Sequence, residues 1–465
     1  MNNANQPHLS VHQLKDNRFD EPKDNNPDDI KRIISAETEK SLKRYAGKSL
    51  NQWAELGVIV FPAILGGQKA NDDEADKLNF FTLGYNQDKT QTWVNTGNCM
   101  GVVRLRDKNT GTSVQIEIGS RFDEGKNQFF LTYLLSKVFG GSMVDPKVAM
   151  GQDSLWDMLL ACVLRRRLLE ARAVGLFKQF QTFKHNDTRI RGRIDLNEHL
   201  RRNVPFYGKM AYSTHEITFN NPTNHLIRHA LAKASRKWGW LLTGDGVMDV
   251  RHDLEQNTPT WQPGDVTNCV RRKENRTPVK HPFFHAAYEP LRQVSLAILR
   301  DEGASLYQQH HEADGVIFDG AWLWEEYLWT LLKPLDFKHP ENKKKTVGWQ
   351  PLAGIWFYPD FFHEGKRVVL DAKYARGGVR QEHARQLFCY MFLLNAIHGG
   401  LIKPDVGQEK CEYITRKDLK ADKAKLHDFF LAPPAKDTFK DAREFKAKMR
   451  ASEEIFQTML CETLK

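Results

Sequence analysis

The stretch GIWFYPDFFHEGKRVVLDAKYARGG, residues 354–378, sets two aspartates and a lysine where they can act together. Residues 355–362 and 367–374 have the β-branched and aromatic content of strands. His363-Glu364-Gly365-Lys366 between them has the length and the glycine of a hairpin turn. A turn of two or four residues puts Asp360 opposite Val369. Opposed residues of a hairpin point to one side and side chains alternate along a strand, so Asp360, Val369, Asp371 and Lys373 share a face. Asp360 and Asp371 are then diagonal neighbours, roughly 7–8 Å apart at the backbone, close enough for both carboxylates to meet on one hard cation, with Lys373 beside it. Carboxylates to hold Mg²⁺, a metal to polarise phosphate and acidify water, and an ammonium to orient that water or steady developing charge are the parts of phosphodiester hydrolysis. The plain alternative is an exposed hairpin with an Asp371–Lys373 surface pair. Against it, VVLDAKY is apolar enough to lie inside a sheet, where two acids and a lysine on one face are costly unless they bind something.

The flanking segments supply the elements that must hold this face. In AWLWEEYLWTLLKPL (321–335), a helical wheel gathers Trp324, Tyr327, Leu328, Leu331 and Leu332 into a core stripe. Glu326 falls on the opposite, polar face, whereas Glu325 sits at the core boundary and is the glutamate placed to look toward the sheet. Asp319 is expected to cap this helix. After the hairpin, EHARQLFCYMFLLNA (382–396) reads as a helix in which Gln386 and Tyr390, four apart, share a face. Such a pair alone is more often packing than chemistry. A strand, GLIKP (400–404), follows.

With 465 residues the chain has room for two to four domains. Residues 1–35, rich in Asn, Asp and Pro, read as a flexible tail, and 36–125 as a β-rich N-terminal domain with a turn at 107–111. Residues 126–304 read as a mainly helical middle region with a long helix over 154–180 and an insertion over 244–282, and 305–465 as the hairpin-bearing domain with C-terminal helices. Arg165-Arg166-Arg167 point three ways from a helix and are read as a solvated face. Arg191 and Arg193 are read as structural ion pairing around Asp195, His310-His311-Glu312 with Asp314 as a surface loop, and 416–450 as a solvated helix pair. The net charge of +10 is weak evidence for a nucleic-acid partner. No run of eighteen apolar residues and no signal-like leader occur, and six scattered cysteines form no metal or disulfide pattern, so the expectation is a cytoplasmic protein without membrane contact. Gly47-Lys48-Ser49 resembles the end of a phosphate loop, but Leu42 stands where a glycine is needed and a helix precedes it, so no bound nucleotide is expected.

The order of helix with Glu325, strand, strand with Pro359-Asp360, strand with Asp371-Ala372-Lys373, and helix with Gln386 and Tyr390 resembles the PD-(D/E)XK nuclease superfamily and the QxxxY element of its RecB-like branch. Within it the chain resembles the McrC family, the nuclease subunits of McrBC and LlaJI-like restriction systems. The long helix LWDMLLACVLRRRLLEARAVGLFKQF, RIRGRIDLNEHLR (189–201), NPTNHLIRHAL (221–231) and WLWEEY follow that family's order over approximately 112–404. The resemblance implies a multidomain α+β and α/β chain: a β-rich, partner-binding N-terminal domain, a helical middle and a C-terminal PD-(D/E)XK restriction-endonuclease-like domain with a central mixed sheet flanked by helices. It further implies a Mg²⁺-dependent DNA endonuclease, with Mn²⁺ as a possible substitute, in phage defence. Asp360, Asp371 and Glu325 would serve the metal, Lys373 the attacking water, and Gln386 and Tyr390 would organise the site. Double-stranded DNA and a hexameric McrB-like AAA+ GTPase, whose hydrolysis the chain stimulates, would be the partners. A partner-independent RecB-like repair nuclease and a non-catalytic DNA-binding activator are the alternatives.

Overall fold

The strand Ala313–Asp319 decides the architecture. Its Val316, Ile317 and Phe318 are fully buried, and a strand apolar on both faces needs a neighbour on each edge. It finds them far away in sequence, pairing antiparallel with Cys99–Arg106 and parallel with Ile59–Phe61. The resulting sheet has five strands, in the order Leu9–Lys15, Ser113–Gly119, Cys99–Arg106, Ala313–Asp319, Ile59–Phe61. Gly101, at φ +143 with the Val316 carbonyl where a Cβ would sit, lets the two central strands approach. The computed structural model describes residues 9–23, 26–56, 58–62, 78–106, 113–123, 128–139, 154–299, 313–340, 349–352, 355–376, 381–405, 413–415 and 425–464.

Two units result: residues 1–159 with 309–465, and residues 160–308. The mixed α/β chain expected from the sequence is therefore present, but an independent domain over 36–125 is not, because its sheet is completed by a strand from beyond residue 305. The flexible tail over 1–35 is also corrected. Leu9–Lys15 pairs in parallel with Ser113–Gly119 along seven residues, and Asp16 is buried against Arg121. Gly47-Lys48-Ser49 ends in a helix cap: Ser49 Oγ accepts from Gln52 N–H and the Gln52 side chain accepts from Ser49 N–H.

Within the first unit a second five-stranded sheet carries the hairpin. Its order is Phe361–His363, Val368–Ala372, His398–Pro404, Lys425–Leu431, Tyr413–Thr415, with the three middle strands parallel and both outer ones antiparallel. On one face, Val369, Leu401 and Leu426 pack with Leu387, Tyr390 and Met391 of the helix Gln381–Leu393. On the other, Phe429 meets Phe456 of the helix Ala442–Thr463 edge-on at 6.4 Å. The helix pair expected over 416–450 gives way to the strand Lys425–Leu431 because HDFFL is buried sheet centre.

The second unit corrects the middle region. The helix Ser154–Val174 stops at Gly175, whose φ of +93 suits the end of a helix, so Phe180 lies in the strand Gln179–Asp187. That strand, Met210–Thr218 and Arg193–Ile194 form a three-stranded sheet. Arg165 and Arg167 are buried, with Arg165 donating to the Leu241 carbonyl at 2.9 Å and Arg167 to Glu170 at 2.6 Å, so the triplet is not a solvated face. Arg191 pairs with Asp187, while Asp195 caps the helix Leu196–Arg202. Residues 244–282 carry the helices Asp245–Asn257 and Val266–Arg271, pinned by buried Val247, Leu254, Cys269 and Val270. The turn at 107–111 and His310-His311-Glu312 lie outside the described residues. No helix among the described residues is long and apolar enough to cross a membrane.

Candidate active site

The hairpin forms, with its register two residues further along than expected. Phe361 pairs with Leu370, Phe362 with Val369 and His363 with Val368, so Glu364–Arg367 are the turn. Arg367 is drawn into the turn at φ +55 because its side chain clamps Asn395 by two hydrogen bonds, of 2.7 and 2.6 Å, and its carbonyl accepts from Ile397 N–H. A shift of two preserves the alternation of faces. Continuing the ladder one step brings Asp360 opposite Asp371 instead of diagonal to it. Asp360 lies just before the strand, where one of its carboxylate oxygens accepts from Ala372 N–H at 2.7 Å.

Asp371 is 1% exposed. Burial first, and then the Asp360 charge and a hydrogen bond with that carboxyl, push its pKa up to about 7 against the pull of Lys373. Lys373 Nζ lies 2.6 Å from Asp371 Oδ2. Burial alone would lower the lysine, but Asp371, Asp360 and Glu325 outweigh it and raise its pKa. Lys373 is thus a fixed cation facing an excess of carboxylates.

Gln386 and Tyr390 are brought to the same place. Lys373 Nζ donates to Gln386 Oε1 at 3.2 Å, Gln386 Nε2 donates to the Tyr390 hydroxyl at 2.7 Å, and Tyr390 donates to the Tyr358 carbonyl at 3.0 Å. An ammonium can only donate and a carbonyl only accept, so every group in this relay has one possible orientation. Burial raises the Tyr390 phenol above its ordinary value, Gln386 opposes this, and Asp371, Asp360 and Glu325 add to it, so the hydroxyl keeps its proton. The relay starts beside Asp371 and returns to the backbone two residues before Asp360.

Glu325 is buried, while Glu326 takes the Trp322 indole N–H at 3.1 Å on its own helix. Asp319 accepts from Ala321 N–H as the cap of that helix, Gly320–Leu332. Glu325 faces His339, with Oε1 and Nε2 3.8 Å apart. Among the described residues no three His, Cys, Asp or Glu side chains are gathered tightly round one point, but the charge of Glu325 reaches Lys373 and Tyr390 together with those of Asp360 and Asp371. One group facing Glu325 is an imidazole from outside the predicted set. Two carboxylates nonetheless suffice for Mg²⁺, which keeps several waters and takes phosphate oxygens from substrate. The fit is further marked by Asp371 Oδ2, fully enclosed and ion-paired to Lys373 but without a well-directed hydrogen bond.

Sequence patterns missed three contributors: His339, the Ala372 N–H and the Tyr358 carbonyl. The latter two are backbone groups without a residue signature. His339 sits in an irregular segment held beside the hairpin by reciprocal backbone hydrogen bonds between Lys338 and Phe362, at 2.7 and 3.0 Å.

Residues 94–404 match the family model described as McrBC 5-methylcytosine restriction system component. Among curated proteins none matches the chain. Similar solved structures include the following two. A half-complex from a tetradecameric assembly of Thermococcus gammatolerans McrB AAA+ hexamers with bound McrC is 14% identical and covers 95% of this chain and 100% of that one, with a TM-score of 0.47. The cryo-EM structure of the Thermococcus gammatolerans McrBC complex is 11% identical and covers 70% and 87% of the two chains, with a TM-score of 0.32.

Proposed function

The chain belongs to the family of McrBC 5-methylcytosine restriction system components, and from that premise we propose that it is the Mg²⁺-dependent DNA endonuclease subunit of such a system. The supporting observation is the face on which Asp360 and Asp371 touch, with Lys373 2.6 Å from the latter. Two carboxyls against one half-buried cation leave, once both ionise, negative charge that a divalent ion would neutralise. Asp360 and Asp371 would hold Mg²⁺, which when bound polarises a phosphodiester and acidifies water. Lys373, kept protonated, orients the attacking water or steadies charge developing on the phosphoryl oxygens. Gln386 and Tyr390 hold the ammonium in place through the relay to Tyr358. Glu325, whose charge reaches Lys373, would support the metal or the water.

On this reading the chain cuts double-stranded DNA when assembled with an McrB-like AAA+ GTPase and stimulates that partner's GTP hydrolysis. The test mixes the full chain with such a partner, GTP, Mg²⁺ and plasmid DNA. Cleavage that needs both proteins and is lost in Lys373→Ala is the expected result. Cleavage by the chain alone would move the reading to a RecB-like repair nuclease. Undiminished cleavage by Lys373→Ala would end it.

A further inference from the structure

His339 joins the segments that carry two of the candidate acids. Its side chain is 2% exposed. Its Nδ1 lies 2.8 Å from the Asp360 carbonyl oxygen, and because a carbonyl only accepts, Nδ1 carries the proton. Its Nε2 faces Glu325 Oε1 across 3.8 Å, beyond a direct hydrogen bond but within ion-pair range. Two aromatic rings near the same two acids in sequence pack against the imidazole. Trp329, one helical turn after Glu325, lies 5.4 Å away between ring centroids, and Phe361, next after Asp360, lies 4.9 Å away.

An imidazole with one nitrogen fixed on a backbone carbonyl and the other aimed at a carboxylate has a defined orientation, the arrangement by which neighbouring groups set the geometry of a metal site. Small displacements of the acids would be costly, since two carboxylates must reach one ion from a strand end and a turn. We propose that His339 is a positioning residue of the active site: it fixes the Asp360 backbone, and with it the Asp360 carboxylate, and sets the place of Glu325. This rests on the metal-nuclease reading above.

The experiment measures Mn²⁺ binding to the full chain by calorimetry, alongside DNA cleavage with the AAA+ partner, for His339→Phe, His339→Asn and His339→Gln. Phe keeps a ring between Trp329 and Phe361 but no donor. Asn presents an N–H near the position of Nδ1, and Gln presents one near Nε2. His339→Phe is expected to weaken Mn²⁺ binding and lower kcat about 10–100-fold with little change in KM for DNA. His339→Asn should recover most of the metal affinity, and His339→Gln less. If His339→Phe fails to fold, the comparison of Asn with Gln decides, and equal affinities for those two overturn the proposal. Wild-type affinity and kcat in His339→Phe, while Asp360→Ala loses both, overturn it and leave the nuclease reading standing. Absence of both Mn²⁺ binding and cleavage in the wild-type chain removes that reading and the proposal with it.

Discussion

Of the aspartates buried in the first unit, Asp16 and Asp371 have surroundings that differ sharply. Asp16, at the end of the N-terminal edge strand, is fully buried, and burial pushes its pKa up to about 6 although Arg121 pulls it down. Its carboxylate accepts from Arg121 N–H at 2.5 Å and from Nε at 3.1 Å, and pairs with Nη2 at 2.9 Å, while the buried Asp123 carboxyl feels its charge but is held by the Phe130 and Leu131 N–H groups. Asp371, at the end of a central strand of the other sheet, is equally buried but faces a second carboxylate as well as a lysine. Burial and a raised pKa are common to both. A second carboxyl in direct contact is what separates the candidate site from the structural ion pair, since a buried acid can be neutralised by one bidentate arginine when nothing else is wanted there.

The contrast can be broken from either end. The largest expected effect is on chemistry: Lys373→Ala or Asp371→Asn should lower DNA cleavage by about 10³-fold, and Asp371→Asn should do so with a thermal midpoint close to wild type. A plasmid-cleavage time course beside a melting curve checks this. At Asp16 the reverse is expected. Arg121→Ala leaves a buried acid without its cation and should cost about 3–5 kcal/mol of stability in urea unfolding.

Next comes pH. The Asp16 pKa is raised on folding, so its contribution to stability is full below the unfolded value near 3.8 and is lost as pH rises toward about 6. Wild-type stability minus that of Asp16→Asn should therefore fall by about 2–3 kcal/mol between pH 3.5 and 7 and then level off. A difference that grows with pH would show that Arg121 outweighs burial. The smallest effect is expected for Tyr390→Phe, which removes the hydroxyl between Gln386 and the Tyr358 carbonyl: about 1 kcal/mol in stability and up to about tenfold in kcat.

The contrast also shows what could be read in advance. The shared face of Asp360, Asp371 and Lys373 follows from strand alternation, which survives a register error of two, and the proximity of Gln386 and Tyr390 follows from helical spacing. The register itself turns on Arg367 reaching Asn395, a contact between residues 28 apart that no local pattern announces. Long-range pairing hid the N-terminal architecture in the same way. Leu9–Lys15 looked like tail because its partner strand lies a hundred residues on, and Ala313–Asp319 looked like the start of a new domain because its partners lie some two hundred residues back. His339 was invisible for a different reason: an isolated histidine in an irregular segment has no periodicity to assign it a face.

The central claim is that the Asp360–Asp371 face holds a divalent cation, whereas the Asp16–Arg121 pair holds none. Calorimetric titration of Mn²⁺ into the full chain, into Asp371→Asn and into Asp16→Asn tests it most directly. One site in the wild-type chain, retained in Asp16→Asn and lost in Asp371→Asn, is the predicted result; equal binding by wild type and Asp371→Asn would contradict it.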